Sequence, residues 1–407
     1  MTTQNDILFA PLPLRNLTLP NRLVRSATYE GFGLPDGTPR AELADLYTRL
    51  AVAGTGTLIS GFCFVSQEGR AMQPGQCGCD TDTKIGAWRT VVSQVKAAAP
   101  EVKLLMQLAH AGRQTRRAAT GHPVVGATAR RCRFFREKVQ PLTIGGIERI
   151  VGEFAAAARR AQQAGFDGVQ LHAAHGYLIH QFLSPYTNTR RDAWGEGTRL
   201  LTAVIQAVKA SCGGSFPVFA KFSAADDRGL TVDDTIRQIR SVEADLDAVE
   251  ISYGTMEFAL NIIRGGCPLE RVFDVNPLLR PVPRILRGLF RRLLLSEILK
   301  RQIPFEENYN LLSAARIARQ TQVPVFAVGG FRRAASLRTA LADHHLAAVA
   351  LCRPFLIEPD LARQLRVNDA WVSPCNNCNI CTVSCDAPQP VGCARKGQEP
   401  NHEHRPL

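Results

Sequence analysis

The stretch IERIVGEFAAAARRAQQAGFDGVQLHAAHGYLIHQFLSP, Ile147–Pro185, changes period midway. Up to Gly168 its apolar residues recur at a spacing near 3.6 and the pattern stops at glycine, which predicts a helix facing a core. The short apolar run that follows, Gly168–His172, predicts a buried strand. Working outward, seven more apolar, β-branched runs appear: Arg22–Thr28, Thr57–Val65, Lys103–Ala109, Pro217–Phe222, Ala248–Ser252, Val323–Val328 and Ala347–Leu351. Helical patterns such as AELADLYTRLAVAG and LLTAVIQAVKASCGG separate most of them. Eight strands alternating with helices predict an α/β fold, a (β/α)8 TIM barrel. An open doubly wound sheet would carry a Gly-rich turn after its first strand, and RLVRSATYEG is not one. Ahead of that strand, LPLRNLTLPN predicts a small hairpin closing the barrel floor.

Two segments break the repeat. After the sixth strand an insertion, about 255–305, contains RILRGLFRRLLLSEILKRQ. Leu286, Leu289, Phe290 and Leu293 share one helical face there, with arginines between. The plain reading is a lid or interface helix, against this chain or a second copy of it; peripheral contact with an anionic membrane through 280–301 is the other. The second exception is a Cys-rich tail, 366–407, after a barrel spanning 1–365.

Composition narrows the function. With 45% hydrophobic and 21% charged residues among 407, the chain reads as globular with a sizeable core. No apolar run reaches the ~18 residues of a membrane span. The start, MTTQNDILFAPLPL, lacks the basic and apolar regions of a secretory signal, so a cytoplasmic location is expected. The net charge of +13 is uneven: Arg280–Arg301 holds seven Lys/Arg against one Glu. A local excess argues against nucleic acid as a partner. Of twelve cysteines, five fall between Cys375 and Cys393, and such clustering in a reducing compartment favours a metal or cluster site over disulfides.

Barrel chemistry sits at the C-terminal ends of the strands. The fourth strand ends near His172, which puts His172, His175 and Tyr177 at that face. The third strand brings Gln107 and the fifth Lys221. Three readings of the histidines stay open. Zinc on His172, His175 and His180 lacks an accompanying carboxylate or Cys and the HExxH pattern. A structural role is the second. The third is a pair of N–H donors for a developing oxyanion, with the Tyr177 phenol as general acid.

NRLVRSAT, QLAHAGR, AGFDGVQLHAAHGYLIHQFLSP, NTRRDAWG, VPVFAVGG and CRPFLIEPDL together resemble the successive motifs of the Old Yellow Enzyme family of FMN-dependent oxidoreductases, over about 8–365. The resemblance implies non-covalent FMN, with Gln107 on the pyrimidine edge and Lys221 beside N1 and C2=O. Lys221 stands where the family more often has Arg, keeping the charge but losing the fork. The resemblance further implies Gly329, Gly330 and Arg353 at the phosphate. It implies His172 and His175 holding a substrate carbonyl, Tyr177 donating a proton, and a structural role for Arg190, Asp192 and Gly195. Thr28 is the candidate for the C4=O and N5 edge, with the Ala27 backbone or Tyr29 as alternatives, because SATYEG lacks the usual Pro. Cys352 replaces a common Gly before Arg353.

The tail, SPCNNCNICTVSCDAPQPVGCARK, spaces Cys375, Cys378 and Cys381 as C-x2-C-x2-C, with Cys393 further on. This is similar to the cluster segments of trimethylamine dehydrogenase and dienoyl-CoA reductase, and implies a four-iron, four-sulfur cluster on Cys375, Cys378, Cys381 and Cys393. Cys385 competes as fourth ligand, and zinc would satisfy the same sulfurs. Cys77 and Cys79 form a C-x-C pair with no evident partner.

The resemblance thus implies an enzyme that passes hydride from NAD(P)H through FMN to an α,β-unsaturated carbonyl or related small molecule. The alternative is an FMN/iron–sulfur dehydrogenase exchanging electrons with a partner. RNA modification, faintly suggested by Cys267 in RGGCP, and a non-catalytic barrel are the remaining readings.

Overall fold

The predicted strands close into one barrel in the computed structural model, which describes residues 6–396. The end of the expected tail, 397–407, lies outside the described residues. The barrel strands are β1 (Leu23–Arg25), β2 (Thr57–Ile59), β3 (Lys103–Ala109), β4 (Gly168–Ala173), β5 (Val218–Ser223), β6 (Ala248–Ser252), β7 (Val325–Val328) and β8 (Ala348–Leu351). Each pairs parallel with its neighbour, β8 returns to β1, and β2 pairs with β3 to close the cylinder. Outside lie the main helices α1 (Glu42–Val52), α2 (Ile85–Ala98), α3 (Ile144–Gln163), α4 (Arg199–Cys212), α5 (Val232–Arg240), α6 (Leu311–Gln320), α7 (Ala334–Asp343) and α8 (Leu361–Val367).

In α3, Ile147, Ile150, Phe154, Ala157, Ala158 and Ala161 are buried, the face its sequence period predicts. Thr143 caps it by accepting from the Gly146 N–H at 3.1 Å. The residues that period two turns inward form layers inside the barrel. At the floor, Val24, Ile59, Leu105, Phe219, Ala248, Phe326 and Ala348 pack together. Leu12 and Leu19 of the antiparallel hairpin Leu12–Pro13/Thr18–Leu19 plug this layer from below.

Two strands end earlier than their sequence suggests. β1 stops at Arg25 because Ser26 turns its hydroxyl onto Glu250 and Thr28 donates its own to the Ser26 carbonyl at 2.9 Å. β2 stops before Ser60–Gly61, where the Gly61 N–H donates to the Glu30 carboxylate at 2.9 Å. A Cβ at Gly61 would sit 2.1 Å from Glu30 Oε2, so the chain closes in only with glycine. Pairing resumes at Cys63–Phe64 against the end of β3.

The insertion after β6 contains helices Ala259–Ile263, Leu269–Val275 and Arg284–Leu299. The tail folds back across the same end of the barrel. Its Ser373 N–H donates to the Arg332 carbonyl at 2.8 Å, and its Val391 N–H reaches the Glu30 carbonyl at 2.7 Å. No helix among the described residues is long and apolar enough to cross a membrane.

Candidate active site

Above the apolar floor the inward positions become polar. Gln107 on β3 donates its amide to Gln170 Oε1 at 2.7 Å, and Gln170 donates to Glu250 Oε2 at 2.7 Å. Glu250 also accepts from Ser26 at 2.5 Å and from Lys221 Nζ at 3.1 Å. Lys221 donates again to Ser26 Oγ at 2.8 Å. Five strand ends thus share one continuous hydrogen-bonded layer, with Gln107 and Lys221 only 2% and 3% exposed. A carboxylate buried this deeply survives because every partner is in place. Gln170, Glu250 and Ser26 did not come out of the sequence reading. Gln170 and Glu250 stand two residues before His172 and Ser252, so period two would have placed them on the same inner face.

The next layer carries the expected dyad. His172 lies opposite Lys221 in the β4–β5 register. Its ring stands 5.1 Å from that of His175 and 4.6 Å from that of Tyr177. Phe62, from the loop after β2, packs on Tyr177 at 5.4 Å. The Ala174 N–H donates to His172 Nδ1 at 3.4 Å, which leaves the ring proton on Nε2. His175 adopts φ +61°, held by its N–H to Ser223 Oγ at 3.1 Å, and its Nε2 meets Ser252 Oγ at 2.8 Å. Burial, reinforced by neighbouring positive charge, holds both imidazoles well below the usual histidine range. They are therefore neutral hydrogen-bonding groups at pH 7. Burial raises the Tyr177 phenol, so it carries its proton there.

His180 does not join them. Its Nδ1 accepts from the Gly176 N–H at 2.5 Å, and burial lowers it to about 4 despite Asp226 nearby. No group of three His, Cys, Asp or Glu among the described residues is assembled for an ion, which removes the zinc reading of this trio. The Tyr29 hydroxyl accepts the Gly75 N–H at 2.9 Å and keeps its own proton to donate. Arg190 and Asp192 pair with each other at 2.5 Å, and Arg190 donates to the Ala127 and Leu142 carbonyls, a bracing role as expected.

At the β7–β8 rim, Gly329 and Gly330 adopt φ +134° and +84°. A Cβ on Gly330 would lie 2.6 Å from Asn308 N, and one on Gly329 2.8 Å from the Tyr309 ring. The Arg264 guanidinium stacks on Tyr309 at 4.0 Å, and Arg332 and Arg353 bring further positive charge to the same phenol. The hydrogen bonds of these three arginines go to carbonyl and amide oxygens, none to a carboxylate. Arg332 is buried and its Nε has no partner. Three arginines with no carboxylate hydrogen-bonded to them among the described residues, beside a glycine pair, suit a phosphate, and the amide–ammonium layer suits the polar edge of a flavin, so the residues present fit FMN.

Cys375, Cys378, Cys381 and Cys393 line one cleft with Arg353, beside the Arg353–Ile357 turn of helix. Cys385 is not among the cleft's lining; it packs with Tyr29, Phe62 and Cys381. Arg332 and Arg353 grip the loop between the cysteines through Asn377 and Asn379. Burial pushes Cys381 up to about 11. Cys267 lies in the segment backed against Asn377, since the Gly266 N–H donates to the Asn377 carbonyl at 2.8 Å. Cys77 and Cys79 are buried core thiols of the β2 side.

Fold and site together define a parallel-barrel oxidoreductase built around a flavin nucleotide. Residues 7–256 match the NADH:flavin oxidoreductase / NADH oxidase family, and the chain belongs to that family. It is an FMN-dependent NAD(P)H oxidoreductase. It is 28% identical over 393 residues to the 4,4'-dithiodibutanoate disulfide reductase of Rhodococcus erythropolis, covering 93% of each chain. It is 34% identical over 260 residues to an NADPH dehydrogenase of Geobacillus thermodenitrificans, covering 62% of this chain and 74% of that one. In structure it is similar to a 2-naphthoyl-CoA reductase, with TM-score 0.78 and 20% identity over 95% of this chain and 56% of that one.

Proposed function

We propose that the enzyme uses NAD(P)H to reduce an α,β-unsaturated carbonyl or a related acceptor at the mouth of the barrel. FMN, when bound, supplies the hydride acceptor and donor. Gln107 and Lys221 hold its pyrimidine edge, Thr28 its other polar edge, and Gly329, Gly330 and Arg353 its phosphate. Lys221 balances negative charge that collects on a reduced ring, and Glu250 fixes the ammonium in place. His172 and His175 donate N–H groups to the substrate oxygen as charge develops on it. Tyr177 then gives its proton to the substrate carbon. The observation that carries this reading is the joint placement of a neutral imidazole, an Nε2–H and a protonated phenol beside Lys221. Replacing Tyr177 with Phe should slow reoxidation of the reduced enzyme by an enone about 100-fold or more and leave reduction by nicotinamide within a few-fold. Equal losses in both half-reactions would remove Tyr177 from the role.

A second reading adds a four-iron, four-sulfur cluster in the cysteine cleft and an electron-transfer partner. Its support is the lining itself: Cys375, Cys378, Cys381 and Cys393 line one cleft, and Cys385 is not among its lining residues. Anaerobically purified protein should then show flavin bands with a broad visible shoulder and bound iron. A flavin spectrum with no iron would leave the ene-reductase reading alone. Reduced thiols of this kind suit a cytoplasmic setting.

A further inference from the structure

Over its described side chains, 284–293, helix Arg284–Leu299 is turned the wrong way round for a surface helix. Ile285, Leu286, Leu289, Phe290 and Leu293 are all exposed, Ile285 at 89% and Leu293 at 59%. At ~100° per residue these five cover an arc of about 140°. Among the described side chains, 284–293, those that meet the protein are polar. Arg287 donates to Asp274 at 3.0 Å and lies over the Phe273 ring at 5.3 Å, and Arg291 faces Glu270 at 3.8 Å. An amphipathic helix normally buries its apolar stripe. Here ion pairs fasten the helix to Leu269–Val275 and present the stripe outward.

We propose that this helix docks the enzyme on an anionic lipid surface. The charge around the stripe selects that occupant. Arg292 is exposed at its edge, Arg280 and Arg284 are exposed just before and at the start of the helix, and none of the three forms an ion pair among the described residues. Apolar side chains would enter the acyl boundary while these guanidinium groups meet headgroup phosphates. A second copy of the chain is disfavoured by the same border, because two stripes packed face to face would bring their arginines together. Since no described helix can span a bilayer, contact is limited to the interface. Leu269–Val275 in turn holds the tail, with Arg271 Nε donating to Ser384 Oγ at 3.0 Å. The docked face therefore belongs to the shell that surrounds the cysteine cleft. The inference does not rest on the choice of substrate.

The test is co-sedimentation of the full-length, FMN-loaded enzyme with vesicles of phosphatidylcholine alone and of equimolar phosphatidylcholine and phosphatidylglycerol. The enzyme should bind the anionic vesicles and stay in solution with the neutral ones. Arg284→Ala combined with Arg292→Ala should weaken binding about 30-fold, at roughly 1 kcal/mol for each arginine. Leu289→Glu should weaken it at least about tenfold, because a charge replaces an inserted side chain. Flavin absorbance and NADH oxidation should stay as in the parent, since none of these residues touches the site. No binding to either vesicle, or equal binding to both, overturns the proposal. So does a concentration-dependent dimer that Leu289→Glu abolishes, which would give the stripe to a second copy.

Discussion

Glu250 decides how strongly Lys221 can act. The pair is buried, and Glu250 opposes the charge that Lys221 is proposed to offer a reduced ring. Glu250→Gln should raise the midpoint potential of bound FMN by some tens of millivolts, and Lys221→Met should lower it, both measured by anaerobic redox titration. Glu250→Gln should also cost stability, about 3 kcal/mol or more, because it leaves the ammonium buried without its partner. The buried histidines set the response to acid. Burial lowers His110 to about 3 and His180 to about 4, and holds His172 well below the usual range. Unfolded, each ring would take up a proton below about pH 6.5. The fold refuses those protons, so its stability is intact above that pH and falls as the pH drops through and below it. Denaturant unfolding should show a loss of about 4 kcal/mol between pH 7.5 and pH 5.5, about 1.4 for each of the three rings. His172, Tyr177, Gln107 and Lys221 were legible in the sequence because polar residues at strand ends stand out in apolar runs. Gln170, Glu250 and Ser26 were not, since their role is to bond one another across strands that are distant in sequence.

Among the elements, the loops after β7 and β8 are those proposed to hold the flavin phosphate. Gly330→Ala forces a Cβ into a positive-φ position and against Asn308 N, which should cost about 1–3 kcal/mol. FMN release, followed by its fluorescence, should quicken in the same variant, while the far-ultraviolet dichroism stays that of an α/β barrel. The six longer strands and helices α1, α3, α4 and α6 followed from sequence pattern, while α2, α5, α7 and α8 were not singled out. β1 and β2 were read too long, because hydroxyl and carboxylate groups at Ser26, Thr28, Ser60 and Glu30 end pairing where β-branched composition would continue it. The orientation of helix Arg284–Leu299 was also hidden, since its sequence marks two faces without saying which one meets the protein.

Over the whole molecule, the tail closes back on the barrel from the β7–β8 rim to the loop after β1. Arg332 and Arg353 stand between two candidate ligands, a flavin phosphate on one side and the cysteine loop on the other. Asn379→Ala removes one of those grips and should loosen both, seen as faster FMN release together with lower iron content. The central claim is that a flavin ring lies across the mouth, above the layer from Gln107 to Glu250, with N5 toward His172 and His175. A crystal structure of the FMN-loaded enzyme tests it most directly. The account predicts the pyrimidine edge against Gln107 and Lys221, the phosphate among Gly329, Gly330 and Arg353, and both imidazoles within reach of a ligand stacked on the ring. Flavin bound anywhere else, or a ring whose N5 faces away from the two histidines, would contradict it.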